Sequence, residues 1–225
     1  MLAGNASYDG PGDLPRVIPL FPLTGALLLP QAQMPLNIFE PRYLAMVEAA
    51  LKGDRIIGMV QPDFRLAGAD SVEHPPLCAV GCAGRIIAFQ ETGDGRYLIT
   101  LAGIARFEIV EELETTTPYR QAVVSAEKFG GDFQEGLGED DVDRDELVKT
   151  LRAYLEANDL EADWSSVSEA TTEVLVNALS MMSPYGAAEK QLLLEAPDLK
   201  TRAATLVALT EVHLARKGDD GGRLQ

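Results

Sequence analysis

The stretch that decides the fold is Arg85-Ile86-Ile87-Ala88-Phe89-Gln90, then Glu91-Thr92-Gly93-Asp94-Gly95, then Arg96-Tyr97-Leu98-Ile99-Thr100. Two strand-like arms flank a five-residue connection whose Asp-Gly pair tolerates positive φ, so the segment reads as a β-hairpin. Gly103 interrupts the second arm, which points to a bulge or to a close approach of another backbone. Arg106–Val110 and Arg120–Ala126 add two more strands. Short strands with closely spaced turns argue for a barrel or a strongly coiled sheet.

Towards the N-terminus the β texture continues. Val17-Ile18-Pro19-Leu20-Phe21-Pro22-Leu23 is apolar but holds two prolines, which limits it to an edge or to pairing on one side. Ala26–Leu29 and Leu36–Phe39 are short apolar runs, separated by Pro30 and Pro35, that read as strand segments or as extended chain wrapping a core. A helix is expected from Pro41, where a missing N–H costs nothing, with Leu44, Val47 and Leu51 on one face and Gly53 as a left-handed stop. Ile56–Val60 is a compact strand, and residues 61–76 a polar loop. Residues 1–13, rich in Gly, Pro, Asn and Asp, are expected to be a flexible arm.

The texture changes near residue 129. Residues 129–142 read as an acidic linker, and 143–225 as a helical subdomain following the β-domain of 14–128. Asp143 with Glu146 resembles a capping box, and Leu147, Leu151, Tyr154 and Leu155 share a helical face. Further helices are expected near Glu169–Met182, Ala187–Glu195 and Leu199–Arg216, the last capped by Asp198. The fold class is α+β.

The chain has 225 residues and a net charge of −16, with 46% hydrophobic and 24% charged residues. That is an ordinary globular balance, long enough to remove roughly 70% of the unfolded surface from water. The charge opposes nucleic-acid binding by broad phosphate neutralisation. Between Glu127 and Asp163 there are 13 acidic and 4 basic residues, so much of the excess sits there as a solvated face or a docking surface for a basic partner. The N-terminus lacks a basic start followed by an apolar run, and no stretch approaches the ~20 apolar residues of a spanning helix. The expectation is a cytoplasmic protein with no membrane partner.

Catalytic motifs are missing. The sequence contains no G-x-S-x-G, no H-E-x-x-H and no G-x-x-x-x-G-K-[ST]. His74, Cys78 and Cys82 have the spacing H-x3-C-x3-C, but strand residues four apart lie ~13 Å from each other, so buried small residues are expected rather than a metal site. Glu40, just before the helix at Pro41, suits capping or pairing with Arg42. Trp164 and Tyr185 read as packing residues, as do Met59, Met181 and Met182, although adjacent Met181 and Met182 cannot both face one side of a helix.

Ile18-Pro19-Leu20-Phe21-Pro22-Leu23 and Met34-Pro35-Leu36-Asn37-Ile38-Phe39-Glu40-Pro41-Arg42-Tyr43 resemble the N-terminal (LON) domain of the Lon ATP-dependent protease family. Gly81-Cys82-Ala83-Gly84-Arg85-Ile86, Gly103-Ile104-Ala105-Arg106-Phe107, Pro118-Tyr119-Arg120 and Lys190-Gln191…Leu194-Glu195 continue the resemblance in order. Pro22, Pro35, Asn37, Glu40, Pro41, Arg42, Gly103 and Arg106 are the motif residues, expected to be structural. The resemblance implies a PUA-like β-barrel followed by a helical bundle. It also implies a stand-alone, non-catalytic recognition or adaptor module without cofactor or metal, whose partners are unfolded or degron-bearing polypeptide and a protease or ATPase. Expected binding residues are Phe39, Tyr43, Phe64 and Met182. The alternatives are an RNA-binding PUA-like module, which the charge opposes, and an unrecognised hydrolase.

Overall fold

The computed structural model describes residues 1–63, 65 and 74–221, which divide into two compact units. The first holds residues 1–135 and 185–194, the second 136–184 and 195–225.

The first unit opens with a small hairpin, β1 (Leu2–Ala3) against β2 (Ala6–Ser7), which buries Ala3 and Tyr8. Six longer strands follow: β3 (Val17–Pro22), β4 (Gln33–Ile38), β5 (Ile56–Val60), β6 (Val80–Glu91), β7 (Tyr97–Leu113) and β8 (Gln121–Ser125). They form one mixed sheet in the order β4-β7-β6-β5-β3-β8, and the far half of β7 also pairs β8. The hairpin forms as expected, with Gly93 and Gly95 at positive φ in its turn.

The PUA-like β-barrel expected from the resemblance is corrected here, because the sheet is not a closed barrel. β4 is hydrogen-bonded to β7 alone and leaves an open edge. Pro35 is tolerated on that edge strand because its missing N–H can face away from the ladder. β3 switches partners along its length, pairing β8 through Val17–Pro19 and β5, in parallel, through Leu20–Pro22. No residue of β3 has registered strand partners on both sides, consistent with its two prolines.

β7 runs for 17 residues, and at Gly103 it shows both the bulge and the close backbone approach that the sequence suggested there. Gly103 does not break the strand. It marks a bulge, since Ala83 pairs Ala105 while Gly84 pairs Gly103, and it lies against the extended chain before β4. Gly103 N–H donates to Ala32 O and Gly103 O accepts from Gln31 N–H, each at 2.9 Å. A Cβ at Gly103 would stand 2.0 Å from the Leu29 carbonyl oxygen. Leu27, Leu28 and Leu29 are thereby buried without forming a strand. Phe107 fills the centre of the core, its ring lying where Cβ atoms on Gly58 and Gly81 would otherwise stand.

Helix α1 (Pro41–Lys52) follows β4 and buries Tyr43, Met46, Val47 and Ala50. Its stop differs from expectation. Gly53 has φ −116°, and the left-handed residue is Arg55, at φ 63°, whose N–H bonds to Ala50 O at 2.9 Å. After β8 the chain makes a kinked 3₁₀ segment over Glu127–Phe133.

The second unit is helical: α2 (Arg144–Ala157), α3 (Trp164–Glu169), α4 (Thr172–Met182) and, after α5 (Ala187–Glu195), which lies largely in the first unit, α6 (Leu199–Gly221). α6 packs on α2 and α4 around Leu147, Leu151, Leu175, Val176 and Leu206. Asp143 caps α2 by accepting from Glu146 N–H, while the Glu146 side chain turns to Lys149 instead of completing a capping box. The helix expected over Glu169–Met182 is split, because Thr171 caps a new start by accepting from Val174 N–H. Arg144 closes the end of α3 by donating to the carbonyls of Val167 and Ala170.

Candidate functional site

Two surfaces, one in each unit, carry the large apolar side chains that the sequence pointed to. In the first unit the junction of β4 and α1 places Ile38 inward and leaves Phe39 61% exposed. The Glu40 carboxylate makes no capping bond. It pairs with Arg42 at 2.8 Å across a half-exposed surface, so the pair contributes little to stability. The Arg42 guanidinium also lies over the Tyr43 ring, 4.5 Å from its centroid. Tyr43 itself is buried, tilted against Phe21 at 4.4 Å, with its hydroxyl 3.5 Å from Pro22 O. Burial raises the Tyr43 pKa, and the Arg42 charge opposes that shift. Tyr43 therefore anchors α1 on β3, whereas Phe39 meets solvent. Asn37, beside them on β4, is exposed and registers with Leu98 of β7. Phe64 lies outside the described residues.

In the second unit, α2, α4 and α6 enclose an apolar cavity of about 170 Å³. Leu147, Leu151, Tyr154 and Leu155 line it from α2, and Leu206, Val207 and Thr210 from α6. Leu160, in the turn after α2, and Met182, at the end of α4, complete the wall while remaining 51% and 81% exposed, so they form its mouth. Met59 is buried and Met181 half-buried, so Met182 is the methionine that faces out. Trp164 stacks under Arg152 at 3.7 Å and does not line the cavity.

Of the motif residues, Arg106 ties several elements of the first unit together. Arg106 is buried on β7 and binds Asp132 at 2.7 Å, donates to Leu194 O at 3.2 Å, and lies over the Phe129 ring. Gln191 of α5 donates to Val80 O at 3.1 Å and accepts from Gln61 at 3.1 Å. Gln61 lies in the run read as a polar loop, and Asp132 in the run read as a linker. Neither position has a local signal that marks it. Cys78 and Cys82 are buried thiols. Cys82 pairs opposite Met59 on the sheet, and Cys78 N–H bonds to Gln61 O. Among the described residues no group of His, Cys, Asp and Glu could hold a metal ion, and no helix is long and apolar enough to cross a membrane.

The chain is an α+β protein with a mixed sheet, a helical C-terminal part and large apolar side chains exposed on each unit. Residues 17–211 match the ATP-dependent protease La (LON) substrate-binding domain, and the chain belongs to that family. Among curated proteins it is similar to Lon protease 2 of Myxococcus xanthus, 28% identical over 204 residues, covering 88% of this chain and 24% of that protein. It is also similar to Lon protease of Anaeromyxobacter dehalogenans, 26% identical over 204 residues, covering 88% of this chain and 23% of that protein. The chain thus spans about a quarter of the length of these relatives. Two solved structures share the fold. One is the Lon N-terminal domain protein from Xanthomonas campestris, with TM-score 0.60 and 22% identity over 85% of this chain and 97% of that one. The other is the N-terminal domain of Mycobacterium avium complex Lon protease, with TM-score 0.63 and 20% identity over 88% and 99%.

Proposed function

We propose that this chain recognises polypeptides for ATP-dependent proteolysis, holding unfolded or degron-bearing segments through exposed apolar side chains without changing them chemically. The observation that carries this reading is the match of residues 17–211 to a substrate-binding domain. Exposed Phe39 and the Leu160–Met182 mouth offer apolar contacts of the kind such binding uses. In this reading Phe39 in the first unit and Met182 in the second each offer an apolar contact on their own unit, Phe64 lies outside the described residues, and Tyr43 acts indirectly by fixing the first turn of α1. A protease–ATPase partner in the cytoplasm consumes what is bound.

The test is a fluorescence-anisotropy titration with labelled, reduced casein. Saturable binding without added nucleotide is expected, weakened several-fold by F39A or M182A. Absence of saturable binding by a folded protein overturns the reading.

A further inference from the structure

We infer that the cavity between α2, α4 and α6 is an anchor site for one large apolar side chain carried on a basic polypeptide segment. This rests on the polypeptide-recognition reading and specifies which segments are preferred. Size is the first argument. A cavity of about 150 Å³ walled by aliphatic side chains admits benzene, so about 170 Å³ suits a single Phe or Leu side chain and not a run of them. Wall chemistry is the second. Of the four hydroxyl-bearing residues on the lining, Thr150, Tyr154, Ser183 and Thr210, the last two donate to Leu179 O and Leu206 O respectively, both at 2.7 Å. Those donors are engaged inside the protein, and an apolar group loses nothing by entering beside them.

Charge is the third argument, and it selects the flanks. Residues 136–184 hold 12 acidic and only 3 basic side chains. Each of those cations is engaged at home: Arg144 on the α3 carbonyls, Lys149 on Glu146, and Arg152 over Trp164. Asp159 and Glu161, both exposed, flank Leu160 at the mouth. A segment bearing Lys or Arg beside its anchor meets a complementary field, and one bearing Asp or Glu is repelled.

The probe is a short labelled peptide with one Phe between lysines in a Gly/Ser background, compared with its Phe-to-Ala and Lys-to-Glu counterparts. The Ala peptide should bind roughly tenfold or more weakly. The Glu peptide should bind roughly three- to tenfold more weakly, a gap that narrows as NaCl rises from about 0.05 to about 0.5 M. Binding should shift the methyl resonances of Leu147, Leu179 and Leu206. Because Leu160 and Met182 are exposed, the charge-neutral variants L160S and M182S should fold normally and weaken the Phe–Lys peptide roughly tenfold. V110S, the same kind of neutral change at an exposed residue in the other unit, should change Kd by less than about twofold. Unmoved cavity methyls at saturation, or equal affinity for the Phe and Ala peptides, overturns the anchor site. If casein still binds in that case, the general recognition reading survives. If casein and peptide both fail to bind, the two fall together.

Discussion

Arg106 holds Asp132 by two parallel bonds, Nε to Oδ2 at 2.8 Å and Nη2 to Oδ1 at 2.7 Å, while the Arg106 main-chain N–H reaches the same carboxylate at 2.9 Å. Both side chains are almost completely buried. The fork fixes the 3₁₀ segment after β8 against β7, and its remaining reach to Leu194 O fixes the end of α5. Removing one partner leaves a buried charge uncompensated, which costs about 3–5 kcal/mol. Arg106→Ala and Asp132→Ala should each lower urea-unfolding stability by that amount. Arg106→Lys should recover only a minor part, since an ammonium cannot reproduce the planar fork. A double Arg106→Leu/Asp132→Leu variant should lose less than the two single losses added.

Gly103 is confined by space. The Leu29 carbonyl oxygen stands where a side chain would begin, and it belongs to a main chain bonded to Gly103 through Gln31 and Ala32. A backbone wall cannot swing aside as a side chain can, so Gly103→Ala should destabilise by about 2–3 kcal/mol. Gly130→Ala serves as the control, because nothing lies within 4 Å of its Cβ position and its φ is not positive. It should stay within about 0.5 kcal/mol of the parent, measured by thermal or urea unfolding.

What the sequence disclosed was local. The Asp-Gly turn, the helix starting at Pro41, and the caps at Asp143 and Asp198 depend on a few neighbouring residues and could be read from them. Features that depend on a distant partner could not. Gly103 permits either a bulge or a close backbone approach, and the structure has both, because the chain at Leu29–Ala32 packs there. Barrel closure was misjudged because strand count and turn spacing say nothing of which strand is left at an edge, and β4 is paired with β7 alone. Helical spacing showed that Met181 and Met182 diverge, and only the packing of α4 shows that Met182 is the one turned outward. The Lys190–Glu195 motif was visible as a resemblance. Its physical sense needs Val80, Gln61 and Arg106, which lie at least 84 residues away.

That motif supplies a further expectation. Gln61 is buried and spans three elements: its carbonyl accepts from Gly25 N–H at 2.9 Å, and its amide donates to Ala187 O at 3.0 Å and Gln191 Oε1 at 3.1 Å. Gln191 passes the chain on to Val80 O. Gln191→Leu strips Val80 of this bond and Gln61 of one acceptor, and buried polar groups so orphaned cost about 1–3 kcal/mol. Gln61→Leu should cost a similar amount. The two losses should not add, because both variants break the same chain, and a double-mutant cycle on urea unfolding would show the coupling. Strict additivity would mean that α5 is held mainly by Arg106 and apolar contact.

Stability should also carry a pH signature from Asp198. Its carboxylate accepts from Thr201 N–H at 2.7 Å in the first turn of α6, and that bond, with the hydroxyl of Thr201 next in importance, holds its pKa below the ordinary carboxylate value. Lys200 and Arg202 reinforce the shift. A carboxyl with a lower pKa folded than unfolded stabilises the protein fully above the unfolded value of about 3.9, and the contribution fades as pH falls through the folded value. Asp198→Ala should therefore cost about 0.5–2 kcal/mol at neutral pH. Asp198→Asn, which can still accept from Thr201 N–H, should cost less there. The gap between parent and Asp198→Ala should shrink as the solution is acidified below about pH 4, since the parent's carboxylate is then protonated. Thermal unfolding of the three proteins between neutral and acid pH measures this. A gap that stays constant into acid would mean that the cap acts through geometry alone, with no part played by its charge.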